Sequence, residues 1–156
     1  MRTLETWFAE YAVSHQNKKN IAIHFICVPA IYFSIAGLLM SIPNGFLASL
    51  VPGDNQFIEN WAFVVMLFII FFYVRLSVTM ALKVLLFSAF CIVVNYYISQ
   101  YASLWLVSLI IFAAAWLGQF YGHKLEGKKP SFLQDLQFLL IGPGWVIQKM
   151  FSKKQH

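Results

Sequence analysis

Apolar and polar positions alternate along this chain on two scales. At the N-terminus, Leu4, Trp7, Phe8, Tyr11 and Ala12 recur at helical spacing while Glu5 and Glu10 fall elsewhere, which predicts an amphipathic helix over residues 3–15. Such a helix lies either in a membrane interface or against the protein's own polar end. A polar stretch, Ser14-His15-Gln16-Asn17-Lys18-Lys19-Asn20, then interrupts the pattern, and Asn20 is suitably placed to cap the next helix. Beyond it the scale changes. Residues 21–42, 57–76, 83–99 and 104–122 are long apolar runs that read as four membrane spans. Pro29 falls inside the first and should kink it. Between the first two runs, Pro43, Asn44-Gly45 and Pro52-Gly53-Asp54 mark a loop whose apolar piece, Phe46–Val51, is expected to dip into the interface. Arg75 to Lys83 is a tight corner, and Tyr101-Ala102-Ser103 is a very short turn. Residues 131–141 carry Phe132, Leu133, Leu136, Leu139 and Leu140 on one stripe, too short to span and therefore interfacial or re-entrant. Gly142-Pro143-Gly144 reads as a break, followed by a last amphipathic turn or two over Trp145–Phe151.

Composition raises the membrane reading above a soluble one. The 156 residues are 60% hydrophobic and 11% charged, against about 25% charged in soluble domains. The fold class is therefore all-α: a polytopic membrane protein of four transmembrane helices, with an N-terminal amphipathic helix and a C-terminal interfacial or re-entrant helix. One membrane-embedded domain covers residues 1–156. The first apolar run is too long for a secretory signal and lacks a small-residue cleavage site, so it reads as a retained span. The net charge of +5 does not indicate a nucleic-acid partner, because the basic residues flank apolar spans and form no solvated face. With four spans, all 11 Lys and Arg fall on one side, while the other side holds Asp54 and Glu59. This positive-inside partition puts both termini in the cytoplasm, in a bacterial inner membrane or the endoplasmic reticulum. Cys27 and Cys91 lie inside apolar runs and read as small buried hydrophobes.

The same partition gathers His15, His24 and His123 at the cytoplasmic end. Residues nine apart on a straight helix are rotated by about 900°, half a turn off face. His15 and His24 therefore share a site only if the chain turns at Asn17–Asn20, where the sequence is already broken. Three imidazoles suit iron, zinc, copper or nickel. Glu126 follows His123 by one helical turn and is a candidate fourth ligand or orienting group. Asn17, Asn20 and Gln119 are candidates for the surrounding shell. Lys18, Lys19 and Lys124 flank the mouth and either attract an anionic substrate or simply form part of the solvated positive-inside charge.

Three blocks give these residues a context. Tyr11-x-x-Ser14-His15-x-Asn17-x-x-Asn20-x-x-x-His24-Phe25-Ile26-x-Val28-Pro29 resembles the start of the small Mpo-like family of membrane proteins. Trp116-x-x-Gln119-Phe120-x-Gly122-His123-x-x-Glu126-x-x-x-Pro130 is similar to its second signature, and Leu139-Leu140-Ile141-Gly142-Pro143 to its C-terminal segment. The resemblance implies an Fe(II)-dependent dioxygenase that cleaves C1–C2 of a 2-hydroxy fatty acid with O2, giving a fatty acid one carbon shorter, as in α-oxidation. It carries the metal and catalytic roles to His15, His24 and His123. Three departures accompany it. Cys27 stands where the family commonly has glycine, the spacing from His123 to Glu126 is one shorter than expected for fungal relatives, and no fourth internal histidine exists, which leaves Glu126 or water for the remaining place.

Such chemistry needs an apolar slot for the acyl chain, expected as a groove between spans that opens to lipid. Tyr11, Tyr121 and Trp116 are nearest to the proposed site in sequence. Substrates and lipid are the expected partners, and a homo-oligomer is compatible with the pattern. The competing classes are a small metal or solute transporter and a non-catalytic lipid-binding or scaffold protein. Mid-span polar residues are few (Ser34, Ser88, Asn95, Ser108), which argues against a through-pathway.

Overall fold

The computed structural model of the protein describes residues 3–13, 15–50, 55–127 and 141–149, with Glu126 described by its backbone alone. Among these residues it is helical, with no strand. Six helices occur in the order α1 (Leu4–Val13), α2 (Lys18–Met40), α3 (Gly45–Leu50), α4 (Trp61–Leu76), α5 (Val78–Tyr101) and α6 (Leu104–Glu126). Residues 141–149 form a further helical segment. The four apolar runs thus become α2, α4, α5 and α6. Three of them, α2, α5 and α6, are long and apolar enough to cross a membrane. The remaining one, α4, is apolar but has 16 residues, about 24 Å of helix against a hydrocarbon core of about 30 Å. The interfacial or re-entrant helix predicted over 131–141 falls almost wholly outside the described residues.

Local chemistry sets the helix ends. Asn17, in extended conformation, caps α2 by accepting from the Lys19 N–H at 2.9 Å. This corrects the expectation that Asn20 caps the first span. The helix starts one turn earlier because Asn17 already satisfies an orphan N–H, and Asn20 is then carried into the helix and fully buried. Pro29 does not interrupt α2, which continues to Met40. Asn60 caps α4 through the Phe63 N–H. Ser77 alone makes the corner between α4 and α5: its N–H donates to the Tyr73 carbonyl, and its hydroxyl accepts from the Met80 N–H. Ala102 and Ser103 separate α5 from α6. At the end of α6, Gly127 takes a left-handed φ of 71°, which a glycine adopts without strain. The loop helix α3 buries none of its residues.

α2 is the hub. It packs most extensively on α6, and also on α5 and α4, while α4 and α5 pair with each other. Apolar transfer from water does not drive such contacts inside a bilayer, so close approach and polar bonds between helices must. The approach of α6 to α2 depends on Gly118 and Gly122, four residues apart: a Cβ at Gly118 would press on the Cys27 sulfur, and one at Gly122 on the Asn20 side chain. Gly37 plays the same part for the Asn95 and Ser108 side chains. Outward positions such as Phe68, Phe71, Leu86, Phe90 and Leu117 are large, apolar and exposed, as a lipid-facing surface requires.

One further expectation at the C-terminus changes. Gly142-Pro143-Gly144 is not a break, since all three residues are helical and buried. Proline is tolerated in the first turn of a helix, and the glycines meet neighbours at close range, Gly144 against the Tyr73 hydroxyl and Gly142 against Val28 and Tyr11. Of the amphipathic turns expected over Trp145–Phe151, Trp145, Val146 and Ile147 are buried and Gln148 and Lys149 exposed, and residues 150 and 151 lie outside the described residues. The segment joins Phe8, Tyr11, Val28, Tyr73, Met80 and Val84 in one apolar cluster. The α1 helix contributes Phe8 and Tyr11 to that cluster, so it packs on the protein's own polar end.

Candidate metal centre

The three internal histidines meet. One ring nitrogen from each of His15, His24 and His123 lies within 4.8 Å of the others, and all three residues are buried. They arrive from separate places: His15 from the corner after α1, His24 from the second turn of α2, and His123 from the last turn of α6. The corner at residues 15–17 brings His15 back over His24, as the rotation between them demands.

Hydrogen bonds fix the rings of His15 and His24. His15 Nδ1 lies 2.6 Å from the Tyr11 carbonyl oxygen, and His24 Nδ1 lies 2.9 Å from the Asn20 carbonyl oxygen. A carbonyl only accepts, so each Nδ1 carries the proton and donates it. In a neutral imidazole the other nitrogen then presents a lone pair. Those two Nε2 atoms face each other at 2.9 Å. Two such nitrogens either share a proton or, both unprotonated, turn their lone pairs to one cation. Ligand bonds of about 2.1 Å at a right angle would set two nitrogens about 3 Å apart, so the spacing fits two adjacent ligands of one metal ion. The residues therefore suit a divalent first-row metal, and three imidazoles serve iron, zinc, copper and nickel alike.

Aromatic rings enclose the cluster. Tyr11 stacks on His15 with centroids 4.1 Å apart and planes at 10°. Trp145 packs on Tyr11 at 4.9 Å and on His15 at 5.8 Å, and Lys149 Nζ sits 4.2 Å above the Trp145 ring. Trp145 is the member of the site that the sequence did not reveal. It follows a Gly-Pro-Gly that reads as a break, and no spacing links it to the histidines.

The other predicted site residues separate into two groups. Asn17, Asn20 and Gln119 stay close to the histidines. The Asn17 amide donates to the Leu125 carbonyl at 3.3 Å while its oxygen caps α2, so one side chain ties the start of α2 to the end of α6. Asn20 supplies the carbonyl that orients His24 and lies against Gly122. Gln119 is buried one turn before His123. By contrast, Lys18, Lys19 and Lys124 are exposed. Tyr121 points outward at 59% exposure, whereas Trp116 is buried against Ile31 and Ala115 two turns away from His123. The side chain of Glu126 lies outside the described residues. Because the three lysines reach solvent, a triple variant (Lys18→Gln, Lys19→Gln, Lys124→Gln) is expected to retain the metal stoichiometry of the unmodified protein, measured by elemental analysis.

A protein-family model described as 2-hydroxy-palmitic acid dioxygenase Mpo1-like matches residues 1–154. No curated protein and no solved structure matches the chain.

Proposed function

Because the chain belongs to the Mpo1-like family, we propose that it is an Fe(II)-dependent dioxygenase that cleaves the C1–C2 bond of 2-hydroxy fatty acids in a membrane. One O2 is consumed; C2 is left as the carboxyl carbon of an acid one carbon shorter, and C1 leaves as carbon dioxide with one water. The observation that carries the metal assignment is the facing Nε2 pair of His15 and His24, each with its opposite nitrogen bonded to a carbonyl.

In this reading His15, His24 and His123 hold the iron and act as the catalytic centre. Ferrous iron supplies the one-electron chemistry through which dioxygen reacts with a closed-shell acid. The protein's residues position and shield. The carbonyls of Tyr11 and Asn20 hold each imidazole in one tautomer and one orientation, and outer partners of this kind tune ligand basicity. Tyr11 and Trp145 cover His15 with ring carbon, which keeps bulk water from the site and limits wasteful side reactions. Asn17 joins the α2 and α6 termini, so the histidines of both helices keep a common register. Glu126, three residues after His123 in the sequence, would be the candidate for a further ligand.

We take α2, α4, α5 and α6 as four crossings, with both termini on the side of the histidines and the C-terminal segment seated at that end. The buried polar residues of mid-bundle favour an enzyme over a transporter. Asn95 donates to the Phe33 and Cys91 carbonyls, Ser34 to Ile31, and Ser88 to Val84. Asn95 thereby ties α5 to α2, while Ser34 and Ser88 bond back onto their own helices, so these hydroxyls and this amide are committed to helix carbonyls.

The test is direct. Purified in detergent, loaded with iron and supplied with a 2-hydroxy fatty acid and O2, the protein is expected to release the acid shortened by one carbon, with iron bound near one per chain. Zinc-loaded protein is expected to release none. Protein that retains no iron and gives no shortened acid would sink the reading.

A further inference from the structure

Two cavities lie along α2 where it meets α5, the lower one closed by the C-terminal segment and the upper one by α4. The lower one, about 510 Å³, is bounded by Phe25 and Pro29 of α2, Lys83 and Phe87 of α5, and Val146 and Ile147 of the C-terminal segment. It adjoins the metal centre: the Phe25 ring stacks on Trp145, centroids 6.3 Å apart, and Trp145 packs on His15. The upper cavity, about 220 Å³, is bounded by Tyr32, Ala36, Leu39, Ala62, Ser88 and Ile92, among others. Tyr32 in the upper wall and Phe87 in the lower wall pack on each other with ring centroids 5.4 Å apart. Tyr32 and Ser88 bond to each other at 2.6 Å, so their hydroxyls are paired and the wall offers carbon to an occupant.

Shape, length and charge agree on one kind of ligand. Phe25 to Leu39 spans about 21 Å along α2. A long acyl chain fills one leaflet of a hydrocarbon core, about 15 Å, and fits within that length. Lys83 lines the lower cavity together with Phe25, and the other residues of that wall are apolar. A groove that is apolar along its length, with a cation at the end nearer the histidines, complements a chain with a carboxylate at one end.

We propose that the α2–α5 seam holds the acyl chain of the 2-hydroxy acid, with its carboxylate drawn to Lys83 and its methyl end between Leu39 and Ala62. This inference rests on the dioxygenase reading above. Phe25, only partly buried, is the ring that C1 and C2 pass to reach the histidines. Length selection then falls to residues far from the metal. Leu39 and Ala62 act on specificity, and Lys83 acts as a positioning residue.

The experiment uses the full chain in detergent. Equilibrium binding of radiolabelled saturated 2-hydroxy acids of graded length is measured on metal-free protein, and turnover of the same mixture on iron-loaded protein. Ala62→Phe is expected to lower affinity for the longest acids by about fourfold per methylene excluded and to leave short acids unaffected. Leu39→Ala, which removes bulk and so avoids overpacking, is expected to move the preferred length upward. Lys83→Gln is expected to weaken acids of every length by about tenfold, with the uncharged 1,2-diol of equal length bound as before. Unmoved length profiles in both Ala62→Phe and Leu39→Ala, with the shortened acid still formed, would overturn the groove and leave the dioxygenase standing. Shifted binding profiles with no shortened acid would do the reverse. Displacement of the bound acid by a phospholipid of matching chain length, at equal affinity, would assign the seam to bilayer lipid and overturn the proposal.

Discussion

His24→Ala is expected to cost more than about a hundredfold in metal affinity, because loss of a partner behind a ligand already costs about 10–100-fold. Turnover is expected to vanish with the metal. His24 is 2% exposed and packs on both other imidazoles, with ring centroids 4.3 Å from His15 and 5.3 Å from His123. Its removal takes one of two facing nitrogens and leaves the Asn20 carbonyl without the ring that donates to it. His15→Ala should lose metal to a similar degree, and also the stacked face on Tyr11. Elemental analysis of the purified variants reads the metal directly, and circular dichroism separates its loss from unfolding. Thermal melting adds a second check. A metal that binds the folded chain raises the melting temperature, so chelator should lower it in the unmodified protein and leave it unmoved in His24→Ala. Retention of metal and activity by His24→Ala would remove the histidine cluster from the mechanism.

How far this site could be read from sequence depends on what kind of contact each part uses. The long helices follow from apolar runs, which a bilayer demands whatever the packing. The corner between His15 and His24 follows from rotation along a helix, but it lies at residues 15–17 rather than Asn17–Asn20, because the Asn17 cap starts α2 at Lys18. Capping was harder, because Asn17 and Asn20 are the same residue type three positions apart, and only the bond to Lys19 distinguishes them. Trp145 was beyond reach. Its place depends on how Gly142 and Gly144 fit against α2 and α4, a long-range matter that leaves no local pattern. One signal was present and went unused: Gly118-x-x-x-Gly122 is a small-residue pair at helical spacing inside an apolar run, the known means by which membrane helices approach closely. The outward orientation of Tyr121 was legible as well, since it stands two residues from His123 and so on a different face of α6.

That glycine pair leads to the other large effect. Gly122→Ala is expected to destabilise the protein by about 1–3 kcal/mol, the usual cost of forcing a methyl into a packed interior, and to weaken metal binding in proportion. The Cβ would collide with the Asn20 side chain. Asn20 is fully buried in α2, one turn before His24, and Gly122 immediately precedes His123. The collision therefore acts at the point where α2 and α6 set the distance between two ligands. Shortening the opposing side chain separates this from a general helix effect. In an isolated helix, alanine is preferred to glycine by about 1 kcal/mol, so propensity alone predicts that Gly122→Ala stabilises. If close packing dominates, Asn20→Ala combined with Gly122→Ala recovers part of the lost stability, because the added methyl enters space the amide has vacated. The double-mutant cycle should then show a coupling between the two positions within the range of about 0.5–3 kcal/mol found for residues in contact. The measurement is reversible unfolding in mixed micelles, with metal content followed in parallel. Additive effects at the two positions, or a more stable Gly122→Ala single variant, would show that α2 and α6 do not rely on this contact to bring His24 and His123 together.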